Sequence, residues 1–400
     1  MKKLIQINTV CNTSTGKLMG DIQRKANASG YETLSIVGRR KPFSDLRCIK
    51  IGNGLSFWIH VCINTVLDRQ GYASYFVTRR MIQKLRQEQP DIIHLHNLHG
   101  YYMNLPLLFD YLSKEFRGKI FWTFHDCWPF TGHCTYFTAV GCDKWEKECD
   151  KCPNKRVYPI SLFADASRKN YADKKKMFTE LNNLTIIVPS KWMEEMVRKS
   201  FFQNYPVITV NNGIDLQSFS YHRPLDELYE KYDISREKKI ILGVANIWDG
   251  RKGLSDFLAL AKKLPAGYQI LLVGLTARQM KRLPSNMKGI RRTQDKKELV
   301  MLYSCASIFM NPSVEESFSL VTVEAISCGT PAIVLDTSAV KELVCDENGI
   351  VLKKHGTADY LEAIKILEER RLSREQVSQT AQKYDVDVYA KRIVDLYHNF

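Results

Sequence analysis

The sequence has 400 residues, 44% hydrophobic and 25% charged, which excludes a disordered chain and exceeds one ordinary core, so two domains are expected. Lys and Arg number 58 against 43 Asp and Glu, a formal charge of +15 that suits anionic partners; the basic residues are scattered, with no arginine-rich tail or zinc-finger signature, so nucleic acid is not expected. The apolar run in MKKLIQINTV is too short for a signal peptide, and the longest apolar stretch, FWIHVCINTV (57–66), is about half a membrane span, so a cytoplasmic protein is expected.

In chain order, KLIQIN (3–8), ETLSIVG (32–38), DIIHLHN (91–97), KIFWTFHD (119–126) and LTIIVPS (184–190) read as strands, with helical patterns between them at 77–89 and 192–200. The tract 72–89 mixes aromatics with Arg and Lys, which reads either as a solvated helix face or as a contact with an anionic membrane surface. A short strand and an Asn-Asn-Gly turn in PVITVNNGIDLQSF (206–219) mark a division. Beyond it, KKIILGVAN (238–246), YQILLVG (268–274), ASIFMNPS (306–313) and PAIVLD (331–336) repeat the theme, with helices at 253–264 and 359–371. The expected architecture is α/β: two facing Rossmann-like domains, 1–205 and 206–383, with a last helix at 384–400 packing back onto the first. Doubly wound sheets bind ligands beyond the carboxyl ends of their strands, so the active site is expected in a cleft between the domains.

The densest chemistry lies in NPSVEESFSLVTVEAISCGTPAIV (311–334). Glu316 falls in a loop, and Glu324 falls in the first turns of a helix expected to start near Thr322. The amides of Ser317, Phe318, Ser319 and Leu320 precede that helix, where unpaired N–H groups and the helix dipole favour a diphosphate. The first carboxylate suits sugar hydroxyls and the second ribose hydroxyls, although glutamates near a helix start also stabilise the dipole without any ligand. In GVANIWDGRKGLSDFLAL (243–260), Arg251 and Lys252 sit at a helix start, where the dipole disfavours cations. That placement points to an anion among them, the alternative being two exposed surface cations.

In the first half, Ser14, Thr15 and Gly16 follow the first strand and suit a loop approaching donor phosphates, or a plain turn. His125 and Asp126 end a strand in FWTFHDCWPFTGHC (121–134). His94, His96 and His99 lie in DIIHLHNLHGYYMN; His-x-His on a strand points both rings to one face, for acceptor binding or for packing. Eleven cysteines suit a reducing compartment, and Cys134, Cys142, Cys149 and Cys152 read as a structural zinc site or as free thiols.

The 311–334 block resembles the E-x7-E signature of glycosyltransferase family 4, with Gly329 and Pro331 matching its Gly-x-Pro and Ser319 standing where the family usually has glycine. Lys252-Gly253 matches the family's loop pair; the usual arginine after the strand is Asn246 here, so Arg251 stands in for that charge. STGKLMGDI, HLHNLHGYYMN and HDCWPFTGHC together resemble the branch that includes colanic-acid and capsule glycosyltransferases.

The resemblance implies a GT-B fold and retaining transfer of a sugar from a nucleotide-diphosphate donor, with no metal or other cofactor in catalysis. It further implies a glycan acceptor carried on a polyprenyl diphosphate, in bacterial surface polysaccharide synthesis at the inner face of the cell membrane. Catalytic roles fall to Glu316, Lys252, Arg251 and His125. Donor contacts fall to Gly16, Thr15, Asn246, Thr293, Ser317, Phe318, Ser319, Leu320 and Glu324, and acceptor contacts to His94, His96 and His99. Other readings are a nucleotide-sugar epimerase or a non-catalytic nucleotide-sugar-binding protein, and the presence of Glu316, Lys252 and His125 favours the transferase. A phosphorylase would need a lysine set for pyridoxal phosphate, which the sequence does not offer.

Overall fold

The computed structural model describes residues 1–40 and 42–399. The chain divides into two compact units, Met1–Asn211 with the residues from Asp387 onward, and Asn212–Val386.

The first unit is built on seven parallel strands: β1 (Lys3–Asn8), β2 (Glu32–Val37), β3 (Cys48–Lys50), β4 (Ile92–Leu95), β5 (Lys119–Thr123), β6 (Leu184–Val188) and β7 (Val207–Thr209), in the order β3-β2-β1-β4-β5-β6-β7. Strands β4 and β6 are buried along their whole length, as near-continuous apolar runs require when helices cover both faces. The helix Ser14–Ala28 buries Leu18, Met19, Ile22 and Ala26 at helical spacing. Helices Leu105–Lys114 and Lys191–Lys199 start where Asn104 and Ser190 accept a backbone N–H from the first turn. Pairing of β7 with β6 carries this unit to Asn211, past the division expected after residue 205. Helix Val386–His398 packs Tyr389, Ile393 and Tyr397 against Leu4, Leu18, Phe121 and Ile187.

The second unit has six parallel strands: β8 (Lys239–Val244), β9 (Tyr268–Val273), β10 (Met287–Ile290), β11 (Ile308–Asn311), β12 (Ala332–Leu335) and β13 (Gly349–Leu352), in the order β10-β9-β8-β11-β12-β13. Side chains alternate between two apolar layers. Ile240, Leu242, Leu271, Phe309 and Val334 meet helices Lys296–Cys305 and Leu320–Ser327 through Val300, Tyr303, Val323 and Ile326. Ile241, Ile270, Leu272, Met310 and Ile333 meet helices Leu254–Ala261 and Thr357–Arg370 through Phe257, Leu260, Tyr360 and Ile364. Strand period two and helices on both faces are the physical content of a doubly wound sheet.

In each sheet the strand order reverses beside the first strand of the unit, between β1 and β4 and between β8 and β11. Connections leaving such a switch point in opposite directions open a crevice at the carboxyl edge. The chain leaving β1, β4, β8 and β11 there carries most of the residues singled out from the sequence. Among the described residues no helix is long and apolar enough to cross a membrane.

Candidate active site

In the second unit, the connections after β8 and β11 are locked together. The Asp249 carboxylate accepts the Arg251 N–H at 3.0 Å and winds Gly250–Lys252 into a single tight turn. Gly253 follows at φ 69°, and a Cβ there would lie 2.6 Å from Pro312 Cγ, so only glycine lets the two connections touch. The Val314 N–H donates to Arg251 O at 3.0 Å. These constraints deliver Lys252 Nζ to 2.5 Å from Glu316 Oε1, the two side chains being 21% and 10% exposed. Arg251 donates to Glu315 O at 3.2 Å and lies 3.3 Å from Asp249 Oδ2. Glu316 is fixed by its own backbone, donating to Ser338 Oγ at 2.9 Å and accepting from the Ala339 N–H at 3.2 Å.

The helix bearing Glu324 begins at Leu320, ahead of the expected start near Thr322. Ser319 precedes it at φ 89°, ψ 79°, a left-handed conformation that favours glycine. Its Oγ accepts from Asn311 Nδ2 at 3.0 Å and pairs with Thr322 Oγ1 at 2.9 Å. Phe318 anchors the connection, its buried ring 5.6 Å from that of Tyr384. Glu324 Oε2 accepts the Tyr303 hydroxyl at 2.8 Å; burial first, and this carboxylate second, hold that phenol well above its usual range, so it stays a donor. Asn246 is exposed just past β8, and Thr293 lies in the turn after the edge strand β10.

In the first unit, the histidines form a chain through the sheet. Gln6 Nε2 donates to Met19 O at 3.0 Å, so its Oε1 faces His96 Nε2 at 3.1 Å and that nitrogen must carry the proton. His96 Nδ1 is then an acceptor, 3.1 Å from His125 Nε2, which must be the donor. His125 is thereby held as the Nε2–H tautomer with a lone pair on Nδ1. Burial pushes His125 down to about 4 and His94 to about 3, and holds His96 well below the usual imidazole range, so all three rings are neutral at neutral pH.

Of the three histidines expected at the acceptor, His94 and His96 are packed inside the sheet, and His99 pairs with Asp126. His94 has both nitrogens engaged, with the Tyr397 hydroxyl at 2.5 Å and Thr123 Oγ1 at 2.8 Å, and its ring stacks on His96 with centroids 4.3 Å apart. Both rings are buried inside the sheet, at 0% and 1% exposure. His99 Nε2 lies 2.8 Å from Asp126 Oδ2, its Nδ1 lies 3.0 Å from the Tyr158 hydroxyl, and Asp126 also accepts the Trp128 N–H at 3.0 Å. These residues shape the connection that follows His125.

Thr15 and Gly16 belong to the first turn of helix Ser14–Ala28 and not to a loop. A Cβ on Gly16 would lie 2.3 Å from the Cys11 carbonyl carbon, so the glycine serves close approach of backbone to backbone. Cys134, Cys142, Cys149 and Cys152, read from the sequence as a structural zinc site or as free thiols, are free cysteines here, and among the described residues no group of three or more His, Cys, Asp or Glu side chains is gathered to hold a metal. The Cys134 and Cys152 thiols hydrogen-bond each other, and Cys149, which interacts with Cys142 and Cys152, accepts the Gly132 N–H on its Sγ at 3.2 Å. One residue escaped sequence reasoning. Lys174, fully buried, donates to Trp128 O at 2.8 Å and Thr131 O at 3.0 Å, with its Nζ 3.5 Å from the Trp128 ring centroid. Burial pushes it down to about 7 while it braces the segment after His125.

Two family profiles match the chain, one described as Glycosyltransferase Family 4 over residues 28–218 and one as Glycosyl transferases group 1 over residues 238–369. An Escherichia coli K12 protein named as a colanic acid biosynthesis glycosyl transferase, WcaC, is 25% identical over 66% of this chain, and the match spans 64% of its own length. The processive diacylglycerol alpha-glucosyltransferase of Acholeplasma laidlawii is 25% identical over 46% of this chain and 58% of its own. The chain thus spans less than two thirds of either relative. Among solved structures, sucrose-phosphate synthase from Thermosynechococcus elongatus superposes with a TM-score of 0.73 at 16% identity, covering 100% of this chain and 99% of that one. HepE from Anabaena, in complex with UDP and glucose, gives 0.68 at 14% identity with both chains fully covered. These superpositions establish the GT-B fold.

Proposed function

The chain belongs to glycosyltransferase family 4, and on that premise we propose that it moves a sugar from a nucleotide-diphosphate donor to a glycan or glycolipid acceptor with retention at the anomeric carbon. The observation that carries this reading is the pairing of Lys252 with Glu316 at the switch point of the second sheet, directly before a helix amino terminus. A diphosphate at that terminus would meet the amides ahead of Leu320 and the charges of Lys252 and Arg251. Glu316 would face the sugar, and Glu324 would hold ribose hydroxyls.

In the reaction, the bond between the anomeric carbon and the phosphate oxygen breaks, and the nucleoside diphosphate leaves with the electron pair. The acceptor hydroxyl oxygen bonds to the same face of the sugar and passes its proton to a phosphate oxygen. No strong side-chain base is needed. What the protein supplies is fixed positive charge where negative charge develops, the term that usually contributes most to such catalysis. In the first unit, the neutral His125 offers its Nδ1 lone pair to a substrate hydroxyl.

A lipid-linked acceptor and residence at an anionic membrane surface complete the reading. They are supported by the relative named for diacylglycerol glucosylation and by the excess of Lys and Arg. A panel of nucleotide sugars, beginning with UDP-glucose because HepE holds UDP and glucose, tests the proposal through nucleoside diphosphate release. One donor turned over by the wild type and not by Lys252→Ala is expected. Tight donor binding without turnover on any acceptor lipid would instead mark a nucleotide-sugar-binding protein.

A further inference from the structure

The 14-residue helix Gly54–Leu67, GLSFWIHVCINTVL, carries no charged side chain in a chain where a quarter of all residues are charged. A capping box between Asn53 and Ser56 starts it. Its polar residues point inward. His60 Nε2 accepts the Gly71 N–H at 3.1 Å while Nδ1 lies 2.8 Å from Ser74 Oγ, and Asn64 Nδ2 donates to Ile160 O at 2.9 Å. Its apolar residues point outward: Leu55, Trp58, Ile59 and Val66 are 71%, 63%, 50% and 46% exposed. A surface helix of a water-soluble domain shows the reverse arrangement.

The apolar face continues onto two neighbours. Ser74, held by His60, immediately precedes Tyr75 and Phe76, the latter 74% exposed at the start of helix Tyr75–Glu88. Leu162 and Ala164 donate to Thr65 O and Val66 O at 2.9 and 3.1 Å, which sets Phe163, 71% exposed, beside the helix end. Contiguous exposed apolar surface of this kind marks an interaction site.

Charge identifies the occupant. The three stretches that build the face, 48–67, 69–87 and 151–164, contain nine Lys or Arg; Arg69, Lys84 and Arg86 pair with Asp173, Glu88 and Glu115, which leaves six beyond those pairs. Lys50, Arg80 and Lys84 line a groove of about 460 Å³ between the end of β3, the start of the apolar helix and helix Tyr75–Glu88. Aromatic rings at the level of lipid headgroups, flanked by an excess of cations that includes Lys50, Arg79 and Arg80, describe a surface for an anionic bilayer.

We propose that the first unit docks in the plane of an anionic lipid bilayer through helix Gly54–Leu67, the Tyr75–Phe76 turn and the 157–163 segment, with Trp58, Phe76 and Phe163 entering the interface and Lys50, Arg79 and Arg80 meeting lipid headgroups. The inference rests on the membrane part of the proposed function and on none of its chemistry, so vesicle binding and sugar transfer can fail separately.

Co-sedimentation of the full chain with phosphatidylcholine vesicles, with and without phosphatidylglycerol, tests it. Binding is expected to the anionic vesicles and to fall at least about tenfold in a Trp58→Ser, Phe76→Ser, Phe163→Ser variant whose melting temperature is unchanged, because exposed rings contribute little to folding and much to insertion. A second variant, Arg79→Glu with Arg80→Glu, should lose the preference for phosphatidylglycerol. Equal binding by wild type and the serine variant overturns the proposal. So does failure of the wild type to bind, together with self-association that the serine variant abolishes, since a second copy would then cover the face.

Discussion

His96 Nδ1 lies 3.1 Å from His125 Nε2, and the other nitrogen of His96 lies 3.1 Å from Gln6 Oε1, so a glutamine in the first strand sets which nitrogen of His125 holds its proton. Gln6 and His96 are positioning residues for His125. Gln6→Leu should lower kcat by about tenfold or more while moving donor KM less, because a misplaced imidazole is felt most where charge develops. Nitrogen chemical shifts of His125 should report loss of the single Nε2–H tautomer. A variant with unchanged kcat and unchanged tautomer would make the relay structural only.

Removing the cations at the second sheet should act on turnover more than on folding. Lys252→Ala and Arg251→Ala each remove a stabiliser of the leaving diphosphate, a loss on the order of 10²-fold or more in rate. Both side chains are partly exposed, so thermal melting should shift little. Wild-type turnover in both variants with a verified donor would overturn the assignment.

Glu316 and Glu324 should separate kinetically. Glu316 is held rigidly against Lys252, whereas Glu324 accepts from Tyr303 and is expected at the ribose, which changes little along the reaction. Glu316→Gln should lower kcat strongly with a modest change in donor KM, and Glu324→Gln should chiefly raise donor KM. Steady-state kinetics with varied donor decides it, and the reverse pattern would mean that the roles are exchanged.

Ser319 offers a test of backbone strain. At φ 89° a β-branched residue is disfavoured, so Ser319→Val should destabilise the second unit by about 2 kcal/mol or more. Ser319→Gly relieves the left-handed strain, about 1 kcal/mol, and loses hydroxyl bonds to Asn311 and Thr322 of similar worth, so it should be nearly neutral. Urea unfolding of the two variants measures the difference.

Acid should weaken the first unit through its buried rings. Burial depresses His60 and His125 from 6.5 to about 4 and His94 to about 3. Below pH 6.5 the unfolded chain takes up protons that the folded chain refuses, so stability is full above that pH and falls as pH drops towards 4. Each unit of separation is worth about 1.4 kcal/mol once fully expressed. Urea unfolding at successive pH values should show this slope, reduced in His94→Gln. A flat profile would mean that these rings are not buried neutral.

Much of the fold is legible because buried parallel strands are apolar runs of the right length; KLIQIN and YQILLV announce β1 and β9 without help. The edge strand β3 is three half-polar residues, CIK, whose pairing with β2 no local pattern encodes. Glu316 and Lys252 stand out by residue type and setting, but their contact spans 64 positions of sequence and depends on Gly253 meeting Pro312. His94 and His96 were visible as two rings on one strand face, while period two cannot say that this face is covered by Tyr397 from the far end of the chain. Lys174 sits in SRKNYADKKKMF, which reads as a solvated basic helix, and its burial follows only from the placement of Trp128 above it. Helix Gly54–Leu67 stands out in the sequence only as an apolar stretch too short to span a membrane, and nothing in its pattern says that its exposed face is the apolar one.

The helix Val386–His398 also sets the order in which the molecule is completed during synthesis. The second unit is a single uninterrupted length of chain, Asn212–Val386, and has all its parts once the ribosome has passed that point. The first unit, although its sheet is made earlier, must wait for its last covering helix. Until then Leu4, Phe121 and Ile187 lack Tyr389, Ile393 and Tyr397 above them, and His94 lacks the Tyr397 hydroxyl. A nascent chain therefore holds an open apolar face through the whole translation of the second unit. Transiently exposed apolar surface of that kind is prone to aggregate, and the unit begun first is the unit finished last.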